Sequence, residues 1–196
     1  MRSPLLLGEL VRLRPVEARD ADRLWASLQD PAGGRLTGMG TNASSTRAEV
    51  DAWAARAADL PGRYDWAITS AAVRDGELVS DDLLGEISLD QVDLDLLAAN
   101  LRLRMMPDYR GRGYGREAIS EVLRFAFGDS DEAGLGLHRV GLSVMSMNTR
   151  ARALYESLGF REEGRLRDAF RDGQGWADAV VMSILEDEFR AGAGTD

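Results

Sequence analysis

Cysteine is absent from this 196-residue chain, and so is lysine. The first absence excludes disulfides, thiolate nucleophiles and cysteine–metal sites, and it is compatible with a reducing cytoplasm. The second excludes Schiff-base chemistry and leaves arginine to supply all 24 basic residues. There is one histidine, His138, which cannot build a histidine-cluster zinc site and reads as structural. No stretch approaches the roughly 18 uninterrupted apolar residues of a membrane span. The run Leu5-Leu6-Leu7 is too short for the apolar region of a secretory signal. Basic charge is in deficit, 24 against 33 acidic residues, for a net charge of −9. That argues against nonspecific nucleic-acid binding and suits a cationic substrate. Asp81-Asp82 and Asp93-x-Asp95 lack the EF-hand frame, so no metal is expected.

The length and 44% hydrophobic content suit one globular domain over 1–196, with a structured core from about 8 to 190. The tail 191–196 should fray. Strands are expected at Glu9–Val16, Tyr64–Ile68, Leu83–Leu89, Leu101–Met106, Arg139–Met145, Phe160–Arg167 and Trp176–Leu185. Asp75-Gly76 signals a hairpin turn. Helices are expected over Ala18–Gln29, from the capping box Thr46-Arg47-Ala48-Glu49 to about Leu60, from within Pro107–Ala118 to near Phe127-Gly128, and over Asn148–Leu158. Residues 31–45, rich in Gly, Ser and Thr, read as a loop. Trp25, Trp53 and Trp66 read as core.

The stretch Pro107-Asp108-Tyr109-Arg110-Gly111-Arg112-Gly113-Tyr114-Gly115-Arg116 joins a strand to a helix. Gly111, Gly113 and Gly115 strip side chains from the turn, so backbone N–H groups can converge on an anion. The new helix adds its free N–H groups and the positive end of its dipole. Arg110, Arg112 and Arg116 can fork onto phosphate oxygens. A Walker loop is excluded because Arg116-Glu117 follows the last glycine, and the dinucleotide fingerprint fails at Arg116. A pyrophosphate cradle and an ordinary glycine-rich turn remain as readings.

A second segment runs from Asn148 to Phe160. Asn148 is placed as a helix N-cap, and Tyr155, seven residues on, falls within about 20° of two full turns from it. The two can therefore line one helix face. Gly159 is a left-handed stop. A capped amphipathic helix with Tyr155 as a packing residue is the other reading.

Arg110, Gly113 and Gly115 form Arg-x-x-Gly-x-Gly, which resembles the coenzyme A loop of the GCN5-related N-acetyltransferases (GNAT). Asn148, Ala151, Leu154, Tyr155, Gly159 and Phe160 resemble a second pattern of that family. Arg12-Leu13-Arg14-Pro15, Leu84-Gly85-Glu86-Ile87-Ser88-Leu89, Glu163-Gly164-Arg165 and Val181-Met182-Ser183 resemble its RimJ/RimL-like branch, so the resemblance covers nearly the whole chain.

The resemblance implies an α/β (α+β) fold: one mixed, mostly antiparallel sheet flanked by helices, with a splayed strand pair at the acetyl-CoA site. It implies acetyl-CoA as cosubstrate, no metal, and direct attack by a primary amine, either a protein N-terminus or a small molecule. Aminoglycoside acetylation and a noncatalytic acyl-CoA-binding module are the alternatives. On the same grounds, backbone groups of Leu103, Met105 and Met106 would face the thioester. Gly111, Gly113, Tyr114 and Gly115, with the three arginines, would hold the phosphates. Asn148 would bond the pantetheine arm, and Tyr155 would be the acid.

Related enzymes often carry Glu where this chain has Asn100, which leaves Glu86 as the best base, acting through water. A surface-facing strand glutamate is the competing reading. Arg102 and Arg104 share one strand face, where they sit at an edge, pair with acids or bind an anionic substrate group. Pairing is the reading adopted, because a buried charge needs a partner. No membrane or nucleic-acid partner is expected, and a homodimer is the base-rate assembly.

Overall fold

The computed structural model describes residues 2–36, 45–129 and 134–193. Its strands are β1 (Leu6–Leu7), β2 (Val11–Pro15), β3 (Tyr64–Ser70), β4 (Val73–Arg74), β5 (Glu77–Leu78), β6 (Gly85–Asp93), β7 (Ala98–Met105), β8 (Arg139–Met145), β9 (Arg161–Asp172) and β10 (Gly175–Leu185). Its helices are α1 (Ala21–Leu28), α2 (Pro31–Leu36), α3 (Arg47–Ala54), α4 (Tyr114–Phe127), α5 (Thr149–Glu156) and α6 (Glu186–Ala193). Among the described residues, eight strands form one sheet in the order β1-β2-β3-β6-β7-β8-β10-β9, and β4-β5 is a separate hairpin turning at Asp75-Gly76.

Every pairing in the large sheet is antiparallel except β7–β8. That parallel ladder holds only Ala98 to Asn100 against Arg139 to Gly141, and the strands then part. The parting opens the sheet at its centre, between the end of β7 and the end of β8.

Both faces of the sheet are covered. Tyr64, Trp66 and Ile68 of β3 belong to a core with Ile119, Val122, Leu123 and Phe125 of α4, and Trp66 meets Phe125 edge-on at 5.6 Å. Ala67 of the same strand belongs to the opposite core, with Leu24 of α1 and Val50 of α3. This explains why β3 is buried on both faces although its sequence alternates. α4 also fastens the first strands, because the Glu117 carboxylate accepts the N–H groups of Glu9, Leu10 and Val11 at 2.9, 2.8 and 2.7 Å.

Several boundaries differ from expectation. Residues 31–36 form α2 rather than loop, capped by Asp30 accepting Ala32 N–H at 3.1 Å. Residues 37–44 of the expected loop, and 194–196 of the expected frayed tail, lie outside the described residues. Order begins before residue 8: Ser3 Oγ accepts Asp65 N–H at 2.8 Å, and Trp66 Nε1 donates to Pro4 O at 2.8 Å. α3 gives way after Ala54 to a short 3-10 turn at Ala57–Asp59 rather than continuing to Leu60. β9 runs five residues past its expected end at Arg167, because β10 pairs with it down to Asp172. α6 has no counterpart among the expected elements, since Gly192 disguises its C-terminal half. No helix among the described residues is long and apolar enough to cross a membrane.

Candidate active site

A cavity of about 1260 Å³ opens where β7 and β8 part. Leu103, Met105, Arg110, Gly111, Gly113, Gly115 and Arg116 line it from the β7–α4 side, and Asn148 and Tyr155 from the β8–α5 side. Glu86, Arg102 and Arg104 line it from the strand faces. The two motifs, far apart in sequence, therefore share one cavity.

Local geometry builds the β7–α4 side. Met106 N–H donates to Leu84 O at 2.9 Å, and Met105 pairs with Gly85 and Leu103 with Ile87. Antiparallel alternation then turns the N–H groups of Leu103 and Met105 away from β6, toward the gap that β8 has left. Met106 does not join them: its N–H is spent on β6, and its side chain is buried with Leu24, Val50 and Leu83.

The turn that follows holds Gly111 at φ 79° and Gly113 at φ 89°, where side chains are disfavoured. Gly113 is the N-cap of α4 and supplies no capping side chain. Among the described residues no side chain caps the first N–H groups of this 14-residue helix, which a helix start leaves without intrahelical partners. Gly115 packs on β7; a Cβ there would lie 3.3 Å from Leu103 Cδ2.

The three loop arginines divide. Arg116 lines the cavity, and its Nη2 donates to Ser157 Oγ. Arg112 is exposed outside the lining, with its guanidinium 5.7 Å from the Tyr109 ring centroid. Arg110 is tied down: Nε donates to Met105 O at 3.1 Å, and Nη2 pairs with Asp30 Oδ2 at 2.8 Å. That pair holds the Asp30 carboxyl below its ordinary range against the opposing effect of burial. Tyr114 packs edge-on against Tyr109 at 6.4 Å.

Two residues that the sequence reading did not single out belong to this neighbourhood. Arg150, on the first turn of α5, crowds the space above Gly111, where a Cβ would collide with its guanidinium. Its position two residues after Asn148 was the available signal. Asp30 had no sequence signal, because its partner lies 80 residues away.

On the β8–α5 side Asn148 caps α5 as expected, its Oδ1 accepting Ala151 N–H at 3.2 Å. Its Nδ2 donates to Leu36 O at 3.2 Å. The segment from Asp30 to Leu36 thus links Arg110 to Asn148, and its Gly33 and Leu36 line the cavity. Tyr155 is 8% exposed, and burial pushes its hydroxyl up to about 12. Its ring meets Phe160 at 5.7 Å.

Glu86 lies opposite Arg104, with Oε1 3.4 Å from Arg104 Nε. Its side chain is 25% exposed. Burial raises its carboxyl above the ordinary range, Arg104 opposes that, and Asp65 adds to it. Arg102 reaches Asp90 at 3.5 Å, and Asn100 donates to the same carboxylate at 2.9 Å. His138 lies outside the cavity, its backbone joining Leu97 to Glu186. Among the described residues no group of three or more metal-ligating side chains is placed to hold an ion.

Comparison with known proteins agrees with this architecture. The chain is 30% identical over 108 residues to the spermidine N(1)-acetyltransferase of Vibrio cholerae, an alignment that takes in 55% of this chain and 60% of that protein. It is 28% identical over 141 residues to the [ribosomal protein bS18]-alanine N-acetyltransferase of Escherichia coli K12, covering 64% of this chain and 90% of that one. The crystal structure of the Vibrio cholerae spermidine N-acetyltransferase in complex with CoA and spermine superposes with a TM-score of 0.78 at 21% identity, over 93% of this chain and 99% of that one, which shows a shared fold. A profile described as an acetyltransferase (GNAT) domain matches residues 11–161. The chain belongs to the GNAT acetyltransferase family.

Proposed function

We propose that this chain is an acetyl-CoA-dependent N-acetyltransferase of the RimJ/RimL-like kind, transferring acetyl to a primary amine by direct attack. The observation that carries the reading is the opening of β7 from β8 beside the uncapped start of α4. An elongated thioester cofactor fits that opening. The glycine turn leaves room for phosphates where a Cβ at Gly111 or Gly113 would meet strain, and the free N–H groups there suit an anion. Arg116 and Arg150, which line the cavity, are cations to complement it. When bound, acetyl-CoA supplies an activated acyl group.

The residues of the chain divide the remaining work. The N–H groups of Leu103 and Met105, turned into the gap, are placed to hold the acyl oxygen as negative charge grows on it. The walls of the cavity hold the amine and the acyl carbon in line, which replaces a bimolecular encounter by a positioned one. Glu86, with its raised carboxyl, accepts a proton from the acceptor ammonium, through water where direct reach fails, so that the neutral amine attacks the acyl carbon. The Tyr155 hydroxyl stays protonated at neutral pH and donates a hydrogen bond to the departing sulfur. Asn148 would meet the pantetheine arm by giving up its bond to Leu36 O.

The test is an acetyl-CoA turnover screen over N-terminal peptides, polyamines and aminoglycosides, with CoA binding read in parallel by thermal shift. A native-state ligand raises the melting temperature by mass action. The proposal expects a shift with acetyl-CoA that Gly113→Asp abolishes, and turnover with at least one amine class. An unchanged shift in folded Gly113→Asp would remove the cradle from the site. Binding without turnover of any amine would leave a noncatalytic acyl-CoA module.

A further inference from the structure

The net charge of −9 suits a cationic substrate, but the cavity does not share that sign. Among the described residues its lining holds Arg110, Arg116 and Arg150 at the glycine turn, and elsewhere Arg63, Arg102 and Arg104 against Glu49, Asp65 and Glu86, so the part away from the turn is balanced and not acidic. Each of those carboxylates is already engaged. Asp65 takes two bonds from Arg63, at 2.6 and 2.5 Å. Glu49 is held by the Thr46 N–H at 2.6 Å in its capping box. Glu86 faces Arg104 at 3.4 Å. A polyamine or aminoglycoside entering here would meet two carboxylates already paired with arginine, Asp65 and Glu86, and only the exposed Glu49 without a cation beside it among the described residues.

Arg102 is the contrasting group. It lies on the same strand face as Arg104, two residues farther from the cradle, opposite Ser88. Its side chain is 55% exposed. Its ion pair is with Asp90, at 3.5 Å, a carboxylate that has a shorter bond from Asn100 at 2.9 Å, and it lies near enough to Glu86 to help offset the effect of burial on that carboxyl. A guanidinium carries five donors in a fork that matches a carboxylate, so this one contact leaves most of the fork unused. Structural pairing accounts for Arg104 and Arg63 far better than for Arg102.

Alternate residues on a strand are about 7 Å apart. An amine placed at the Glu86–Arg104 rung therefore has Arg102 about 7 Å farther along β7. That matches, to within about an ångström or two, the reach from a terminal amine to the side-chain carboxylate of the next residue in an extended peptide. We infer that the acceptor carries a carboxylate as well as the reacting amine, and that Arg102 binds it: the favoured substrates are peptide N-termini with Asp or Glu at the second position. This rests on the acetyltransferase reading above.

The experiment compares kcat/KM for three peptides that differ only at position two, as Glu, Gln or Lys, with spermidine as a polycation control. The inference expects the Glu peptide to exceed the Gln peptide by about tenfold, in line with a charge-assisted hydrogen bond, and Lys to be poorest. In Arg102→Gln the Glu:Gln ratio should collapse toward one, while Arg102→Lys should retain part of it. The CoA thermal shift should persist in both variants, which shows that they are folded. Equal kcat/KM for the three peptides, a Glu preference that survives Arg102→Gln, or spermidine as the best acceptor would overturn this inference and leave the acetyltransferase reading standing. Absence of turnover with every amine would overturn both.

Discussion

Asp30 and Arg110 form an ion pair of 2.8 Å that joins the start of α2 to the glycine turn, while Arg110 Nε holds Met105 O at 3.1 Å. The first arginine of the cradle motif is thus used to shape the turn, and its charge is answered within the protein. Arg116, on the first turn of α4, and Arg150, beside Gly111, line the cavity at the open helix start.

A salt titration separates these roles. CoA affinity should weaken with ionic strength, because exposed charge pairs are screened. In Arg116→Gln that dependence should become shallower. Arg110→Gln should lower affinity about threefold to tenfold, as expected for one charge-assisted bond, with the salt slope kept. Asp30→Asn removes the other end of the same pair and should behave like Arg110→Gln. Calorimetry at about 50 and 300 mM salt reads the slopes, bracketing the screening range. A flattened slope in Arg110→Gln would place its charge on the cofactor instead.

The far end of the sheet carries a second pair whose pH dependence can be predicted. Glu163 on β9 accepts Arg139 Nη1 of β8 at 2.7 Å and Ser183 Oγ of β10 at 2.8 Å, tying three strands together. These bonds depress its carboxyl to about 2, from an ordinary value of 4.5. A depressed acid stabilises the fold above its unfolded value and loses that contribution as pH falls toward the folded one. Both side chains are more than a third exposed, so screening limits the contribution to about 0.5–1 kcal/mol. Glu163→Gln should therefore lower stability by about that much at pH 7, with the deficit shrinking between pH 4.5 and 2. Urea unfolding at several pH values checks it; a deficit constant with pH would show that packing, and not charge, is at work.

How much was legible beforehand follows from which interactions are local. The cradle glycines, the Asn148 cap and the Gly159 stop obey rules that act over a few residues, and the sequence displays them. The strand positions follow from apolar alternation, except where both faces are covered, as in β3. Asp30, by contrast, acquires its role from a partner 80 residues away, and α2 hides behind Gly33 and Gly34. The use of Met106 N–H on β6 depends on pairing register, which a single strand does not reveal. The sign of the cavity's charge is equally nonlocal, since it depends on which arginines of an acidic chain fold inward.

Glu86 gives a prediction in pH. Its raised carboxyl becomes a competent base only above the usual glutamate range, so the acid limb of kcat/KM should lie above 4.5. An α-amine has a reference value near 7.7–8.0, so at lower pH most acceptor is ammonium and a base is needed. Glu86→Gln should therefore reduce kcat/KM by about tenfold or more near pH 6, and by much less near pH 9. Unchanged activity of the folded variant across the range would return Glu86 to a structural partner of Arg104.

Tyr155 gives the sharpest test of the chemistry. With its hydroxyl near 12 and a reference thiol near 8.5, complete proton transfer to a thiolate runs uphill by about 3–4 pH units, or roughly 5 kcal/mol. A hydrogen bond that strengthens as charge grows on sulfur is therefore the better description than a proton handed over outright. Tyr155→Phe keeps the ring against Phe160 and removes only the hydroxyl. kcat should fall by about tenfold to a hundredfold, with CoA affinity changed less than about twofold, because the bond matters mainly in the transition state. The defect should shrink with an acetyl thioester of a more acidic thiol, whose leaving sulfur needs less help. Stopped-flow acetylation with both donors measures it. An equal loss with both donors would mean that the hydroxyl positions the substrate, and no loss with either would remove Tyr155 from the reaction.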